Sequence, residues 1–211
     1  LGADTKGNKS VAVGYSALTA QNFTSSTDTF NTAVGYGAGV AVTTGTLNTL
    51  IGGLAGDAIT TGAANVAVGY RSLSATTTAS SNTAIGVDAL TSNTTGTSNT
   101  AVGRDTLNQQ TTASYNTALG HQALNLNTSG ANNTASGFKA LYANTTGLQN
   151  TAVGASALDA NTTASYNTAV GEKSLSTNIL GSKSTAVGTF SLFNQNPASA
   201  VDMFNTAVGY D

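Results

Sequence analysis

No cysteine occurs in the sequence, so disulfides, thiolate nucleophiles and cysteine-based zinc sites are all excluded. Tryptophan is also missing, and aromatic residues make up only 6% of the 211 residues. A conventional core of large side chains is therefore not expected. Burial must come in small units repeated many times. Charged residues make up only 8%, and the net charge is −2, which gives no electrostatic basis for binding nucleic acid or an anionic lipid surface. The scarcity of charge also argues against disorder, because disordered chains combine high net charge with low hydrophobicity, and 39% of this chain is apolar. No apolar run approaches the ~18 residues of a membrane span. No basic segment followed by an apolar one opens the chain as a secretory signal would. This composition suits an exported or viral protein without disulfides as well as a cytosolic one. The sequence begins without Met and stops inside a repeat, at Gly209-Tyr210-Asp211, so it is expected to be an excerpt of a longer chain.

What is present is one phrase used twelve times. It reads SVAVG at 10–14, NTAVG at 31–35, NTLIG at 48–52, NVAVG at 65–69, NTAIG at 82–86, NTAVG at 99–103, NTALG at 116–120, NTASG at 133–137, NTAVG at 150–154 and 167–171, STAVG at 184–188 and NTAVG at 205–209. The step between its glycines is 21 residues once, then 17 nine times, then 21 again. The consensus is N-T-A-V-G-x-x-A-L-x-x-N-T-T-(G/A)-x-x. Residues 1–211 are therefore read as a single array, with regular 17-residue coils over 35–188 and longer 21-residue coils at 14–35 and 188–209. The T-A-V step alternates with period two, and Gly and Thr are poor helix residues. Each unit is expected to hold a short strand, a glycine turn, an Ala-Leu step and a second short Thr-rich strand. A unit this small must stack on its neighbours. The predicted fold is all-β, a parallel β-roll or β-solenoid of about twelve coils, and at ~4.8 Å per coil the rod would be on the order of 50–60 Å long.

The columns of the repeat have physical readings. Glycine is invariant among the copies, which demands positive φ or close backbone approach. The alanine of N-T-A-V-G gives way only to Leu50, so it faces a tight interior. The next column is Val13, Val34, Ile51, Val68, Ile85, Val102, Leu119, Val153, Val170, Val187 and Val208, broken only by Ser136. By alternation this column faces the other way. Two apolar faces on a thin strand need two neighbours: the coil's own interior and a second chain. A further apolar column runs through Leu18, Leu73, Leu90, Leu107, Leu124, Leu141, Leu158, Leu175 and Leu192. A fully buried Val or Leu contributes roughly 1.5–3 kcal/mol, so a repeat with so few of them has little margin alone, and association is the usual remedy. The Asn column is expected either to stack as an amide ladder along the axis or to serve as a turn residue tolerant of left-handed φ.

The recurring N-T-A-V-G-x-x-A-L phrase resembles the head repeats of trimeric autotransporter adhesins, the YadA-like or Hep/Hag type. It is also similar to repeats in phage and large-virus tail fibres. The resemblance covers essentially the whole chain. It implies a left-handed parallel β-roll, three chains side by side with the Val/Ile column toward the trimer axis, and a role in surface display and adhesion. The 17-residue period is longer than is usual for that head, and the sequence shows no neck, coiled-coil stalk or membrane anchor.

The two positions after each glycine vary most. Eight of the sixteen charged residues fall there: Arg71, Asp88, Arg104, Asp105, Lys139, Glu172, Lys173 and Asp211. Tyr15, Tyr36, Tyr70, Phe138, Phe190 and Tyr210 join them, as does the only histidine, His121. A fixed scaffold with one varying edge predicts a solvent-facing contact ridge on a rod. His121 is expected to be a surface residue, since no second His and no Cys exists to share a metal with it. The G-x-S-x-G phrase of a nucleophile elbow is missing. Asp88 and Asp105 occupy the same column in successive coils, with Arg71 one coil before. Stacking would set the two carboxylates ~5 Å apart, near the spacing of a retaining glycosidase pair. The alternative is an Arg–Asp surface ladder, and no enzyme activity is assigned. The G-G-x-G-x-D repeat of calcium-binding β-rolls does not occur, and GYGAG at 35–39 is a glycine turn, not a dinucleotide fingerprint. No metal or cofactor is assigned. Asn93, Asn144 and Asn161 open N-x-T sequons, which would matter only in a eukaryotic secretory setting.

Both long coils end on Phe before the phrase, Phe30-Asn31 and Phe204-Asn205, and the second holds the only proline, Pro197. They are expected to bulge and protect the sheet edges; the alternatives are that a Phe-capped bulge closes the rod, contacts a partner chain or binds a receptor. Joining Asp211 to Leu1 would leave a glycine step of 16, close to the regular period, so a head-to-tail filament is a further expectation. The leading functional expectation is a structural, adhesive, extracellular fibre segment that binds a glycan or protein receptor at a cell surface. The alternatives are a viral receptor-binding tail fibre and an ice-binding β-solenoid. For ice binding, Thr pairs such as 94–95 and 111–112 are the candidate array, although adjacent Thr residues point to opposite faces.

Overall fold

The computed structural model describes residues 4–210. It is all-β, with no helix among the described residues. Each copy of the phrase makes one three-residue strand. In chain order the strands are β1 (Gly7–Asn8), β2 (Val11–Val13), β3 (Thr27–Asp28), β4 (Thr32–Val34), β5 (Thr49–Ile51), β6 (Val66–Val68), β7 (Thr83–Ile85) and β8 (Thr100–Val102). They continue with β9 (Thr117–Leu119), β10 (Thr134–Ser136), β11 (Thr151–Val153), β12 (Thr168–Val170), β13 (Gly181–Ser182), β14 (Thr185–Val187), β15 (Val201–Asp202) and β16 (Thr206–Val208). Twelve of them, β2, β4 to β12, β14 and β16, form one parallel sheet in sequence order. The register is one coil per step: Ala84 lies beside Ala101, and Ala101 beside Ala118. The chain is a parallel β-solenoid.

The Thr-rich arc differs from the expected second strand. In the regular coils up to Gly171 it is a bent segment without strand pairing, whereas β13 in the last regular coil pairs with β15. Its hydrogen bonds still run from coil to coil, as in Thr128 N–H to Thr145 O at 2.9 Å, and the hydroxyl of Thr128 donates to the same carbonyl at 3.0 Å. The turn before the arc is left-handed. Leu124 has φ +50 and sits buried, as do Leu90, Leu107 and Leu141 with φ of 50, 49 and 51. A left-handed residue costs roughly 1–2 kcal/mol, and burial of the leucine offsets it. The backbone turns there, and the arc that follows crosses to the next strand as a bend.

The invariant glycine has both properties that its column requires. Gly103 has φ +136, and a Cβ there would lie 2.6 Å from the carbonyl oxygen of Gly120 in the next coil. No side chain fits that stacking.

The interior is built from thin columns. Alanines of the strands, such as Ala84, Ala101 and Ala118, and the leucines are fully buried. Two coils break the pattern. Gly39 and Gly56 stand in the leucine column, and Leu50 replaces the strand alanine between them. A Cβ at Gly39 would lie 2.6 Å from Leu50 Cδ1, and one at Gly56 would lie 2.8 Å from Leu50 Cδ2. Val42 and Ile59, also fully buried, fill the rest. One leucine has moved to the opposite wall of the same interior.

The asparagines form the ladder. The backbone N–H of Asn99 donates to Oδ1 of Asn82 at 3.0 Å, and Asn82 Nδ2 donates to Gly96 O at 2.9 Å. The left-handed position falls on the residue before each Asn, for example Tyr115 with φ +62. A second ladder runs through the Thr-rich arc: Asn144 Nδ2 donates to Asn127 Oδ1, and Asn161 Nδ2 to Asn144 Oδ1, each at 2.8 Å. Buried polar groups that are paired in this way avoid a desolvation cost of roughly 1–3 kcal/mol each.

Candidate functional site

Strand alternation places Thr and Val on one outward face of the twelve-stranded sheet, with Ala inward. The Val column is open to solvent along its length. Val13, Ile51, Ile85, Leu119, Val153 and Val208 are exposed, and Val34, Val68, Val102, Val170 and Val187 are half-buried. Exposure is 39% at Ile85 in the middle of the array and 78% at Val208 in the last strand. No charged residue lies in these twelve strands, so the sheet presents a neutral band of a Thr column beside an apolar column that only Ser136 interrupts.

The ridge after the glycines borders one edge of this band. Tyr15, Tyr36, Tyr70, Arg71, Arg104, His121, Phe138, Glu172 and Lys173 are exposed, whereas Asp88, Asp105 and Lys139 are half-buried. Asp211 lies outside the described residues. The second position of each pair has left-handed φ, +55 at Arg71 and +56 at Asp88, which turns these side chains along the rod toward neighbouring coils. Tyr15 stacks on Tyr36 at 5.6 Å and His121 on Phe138 at 5.7 Å between ring centroids. Lys139 lies 5.4 Å from the Phe138 ring and Lys173 5.5 Å from Phe190.

The charged residues pair along the ridge. Arg71 Nη1 lies 3.5 Å from Asp88 Oδ1, and Arg104 Nε lies 3.3 Å from Asp105 Oδ2. His121 Nε2 approaches the same Asp105 oxygen at 3.9 Å. Each carboxylate of the Asp88 and Asp105 column thus has a cationic or imidazole neighbour, in the geometry of a ladder. Exposed pairs of this kind contribute about 0–1 kcal/mol. Among the described residues, no group of three or more His, Asp or Glu side chains is arranged to hold a metal ion.

The carboxyl of Asp57 is the unusual acid. It is half-buried, its Oδ1 has no hydrogen-bond partner, and burial pushes its pKa above the ordinary carboxylate value, while Arg71 acts in the opposite sense.

A second exposed column borders the other edge of the band. It occupies the position before each Asn and includes Phe30, Leu47, Tyr115, Tyr166 and Phe204. Sequence reasoning noted the two phenylalanines but missed the column. The signal was present in the recurring YNTA and FNTAVGY phrases. The band is therefore flanked by aromatic residues on both sides. The sequon asparagines Asn93, Asn144 and Asn161 are fully buried. The Nδ2 of each donates to the carbonyl three residues on, at Gly96, Gly147 and Ala164, so the folded array does not present them for glycosylation.

A hollow of about 590 Å3 lies past the last strand, lined in part by Leu192, Gln195, Met203, Asn205, Ala207 and Tyr210. Leu18, Gln21, Asn31 and Ala33 hold the corresponding positions in the first long coil, and all four are fully buried under the coil that follows. The hollow is thus interior surface of a coil, not a shaped ligand pocket.

Fold and surface together define a parallel β-solenoid repeat protein with a neutral apolar face and a variable charged and aromatic edge. Comparison with protein-family models, with curated proteins and with solved structures finds no match. No helix among the described residues is long and apolar enough to cross a membrane.

Proposed function

We propose that the chain is a structural and adhesive segment of an extracellular fibre, in which three copies lie side by side and display their ridges for attachment. The observation that carries this reading is the outward Val column. Monomeric proteins rarely expose a contiguous apolar patch larger than a few hundred Å2. Here an uncharged band runs across twelve strands, with Val13 56% and Leu119 51% exposed. Packing this band between copies removes it from water and leaves the ridge residues on the outside. The resemblance of the repeated phrase to YadA-like heads and tail-fibre repeats supports the same assembly, with a cell-surface glycan or protein as receptor. Exposed Tyr and Phe beside Arg, Asp and His suit stacking on sugar rings and hydrogen bonding to hydroxyls. A viral receptor-binding fibre would use the same surface.

The test is the absolute molar mass by light scattering, followed by a glycan-binding screen. A mass of three chains with a ridge-dependent glycan signal is expected. A folded monomer would overturn the side-by-side assembly.

One observation favours a second reading. The strand threonines, including Thr83, Thr100 and Thr117, share the outward face with the Val column, at a regular spacing of ~4.8 Å. This is a T-x-V array on one face, better placed for an ice lattice than the adjacent Thr pairs of the arc. Thermal hysteresis of a monomeric sample would select ice binding, and its absence would remove it.

A further inference from the structure

The two long coils are copies of one another. Residues 4–36 and 178–210 align at a constant offset of 174 positions. Beyond the repeat consensus they share Lys9 with Lys183, Ser10 with Ser184, Gln21 with Gln195, Asp28 with Asp202, Phe30 with Phe204 and Tyr36 with Tyr210. Ser replaces the first Asn of the phrase only at these two sites. The geometry repeats as well. Lys9 Nζ meets Asp28 Oδ2 at 2.7 Å, and Lys183 Nζ meets Asp202 Oδ2 at 2.7 Å. The same lysines lie over Phe30 and Phe204 at 5.0 and 5.2 Å. Gln21 bridges Ser10 and Asn31 at 3.2 and 2.9 Å, as Gln195 bridges Ser184 and Asn205 at 3.0 and 2.8 Å. Each long coil also adds a two-residue parallel pair, β1 with β3 and β13 with β15.

The exposed part of this cluster does little for the fold. Phe30 and Phe204 are 49% and 70% exposed with φ +51 and +52, a conformation unfavourable for a bulky residue. The exposed ion pair contributes about 0–1 kcal/mol. The cluster does, however, break a degeneracy. The nine 17-residue steps present nearly the same Thr and Val at every coil. A second chain sliding along this face by one coil, ~4.8 Å, meets almost the same strand residues, and only the flanking column tells one coil from the next. Such uniform strand arrays specify register weakly.

We propose that the long coils are register marks for association with further copies of this chain, contacted through the Lys–Asp–Phe clusters at the edge of the sheet face. This rests on the side-by-side reading above. The strand triplets alone cover on the order of 600 Å2 along twelve coils, from strand rise and spacing. The exposed column before each Asn, from Phe30 to Phe204, extends the face to the ~800 Å2 per partner of a stable interface while the ridge stays outside. The strands carry no charge to oppose contact, and each cluster lysine is already neutralised by its aspartate. The two clusters sit ten coils apart, roughly 48 Å, so only the in-register arrangement aligns both at once.

The chain has no cysteine, so Thr112→Cys on the exposed arc gives a unique spin-label site. In the otherwise unchanged chain, dipolar spectroscopy is expected to give one narrow distance between copies. Replacing Lys9, Phe30, Lys183 and Phe204 with Ser should broaden it into components of slipped assemblies, or dissociate the copies, with circular dichroism unchanged. Shortening each long coil by four residues should broaden it as well. A narrow distance that survives both changes would overturn the proposal. A monomeric mass for the unchanged chain would instead remove the side-by-side reading on which it rests.

Discussion

The exchange of side chains around Leu50 makes a quantitative prediction. Leu50 is fully buried, and its two δ carbons fill the space above Gly39 and Gly56, where regular coils carry leucine. Truncating a buried leucine to alanine costs about 2–5 kcal/mol, and the value depends on how far the site can collapse. Two glycines with no side chain to move leave little to refill the void. Leu50→Ala should therefore fall in the upper half of that range, about 4 kcal/mol. Gly39→Leu alone should also destabilise, by roughly 1–3 kcal/mol, because the new side chain overpacks against Leu50. The two changes together restore the regular arrangement of alanine on the strand and leucine in the turn. Position 39 already has the required conformation, with φ +58 beside 49 at Leu18 and 53 at Leu73. The double variant should be more stable than Leu50→Ala, with a coupling of at least about 2 kcal/mol. Urea unfolding followed by circular dichroism reads this from the midpoint at constant slope. A double variant at the sum of the two single losses would refute the shared-volume account of this core.

Three further outcomes are expected. Gln149 is exposed with φ +55, so Gln149→Gly should be neutral within about 1 kcal/mol while Gln149→Val loses roughly 1–2 kcal/mol or more in the same urea assay; equal values would contradict the left-handed assignment. Asn133 joins three coils, accepting from the Asn150 N–H, donating to Gly147 O and donating its own N–H to Asn116. Asn133→Ala strands the Asn150 N–H, while the Gly147 carbonyl keeps Asn144 Nδ2 as a donor, and should cost on the order of 1–3 kcal/mol; exchange of the Asn150 amide should rise with it, and unchanged protection would break the ladder argument. Burial raises the Asp57 pKa in the folded chain, so the folded state binds more protons than the unfolded one. Its contribution is favourable at low pH and is lost as pH rises from the unfolded value of 3.8 through the raised folded value. Asp57→Asn should flatten that part of the stability–pH curve and stabilise the chain at neutral pH; a curve with unchanged slope would sink this reading.

The sequence revealed the solenoid readily because its constraints are columnar. Twelve glycines at one position exposed the stacking before any geometry was known, and Gly103 against Gly120 shows why no side chain is tolerated there. Period-two alternation in T-A-V placed alanine inward and valine outward, as the strands have it. The Thr-rich arc was misjudged for an equally physical reason. β-branched residues favour strands, but here the Thr N–H and hydroxyl both donate to one carbonyl of the next coil while the backbone bends, and no composition signal distinguishes such a bend from an extended segment. The sequon asparagines illustrate the same limit: their spacing identifies a column, and only the coil path shows that it lies inside. The aromatic column before each Asn was legible in part, since Tyr115 and Tyr166 recur at one position. Its meaning depended on knowing that the edge of the sheet lies there.

The duplicated long coils link local chemistry to assembly. A 17-residue period can repeat indefinitely, because each coil satisfies the next through its Asn ladder and glycine contact. Such an object has no intrinsic landmarks, so neither a lateral partner nor a receptor could locate a particular coil on the uniform sheet face. Variation in the ridge supplies individual marks, such as the Asp105–His121–Phe138 run. The 21-residue coils supply a shared one, because Lys9–Asp28–Phe30 and Lys183–Asp202–Phe204 are the same cluster in the same geometry ten coils apart. The exposed, left-handed phenylalanine is a cost that the fold does not require, since Ser98 and Gln149 hold the same position without it. Tyr115 and Tyr166 carry an exposed left-handed aromatic in regular coils too, so the mark of the long coils is the Lys–Asp pair beside the phenylalanine, and the proposed contact between copies rests on it.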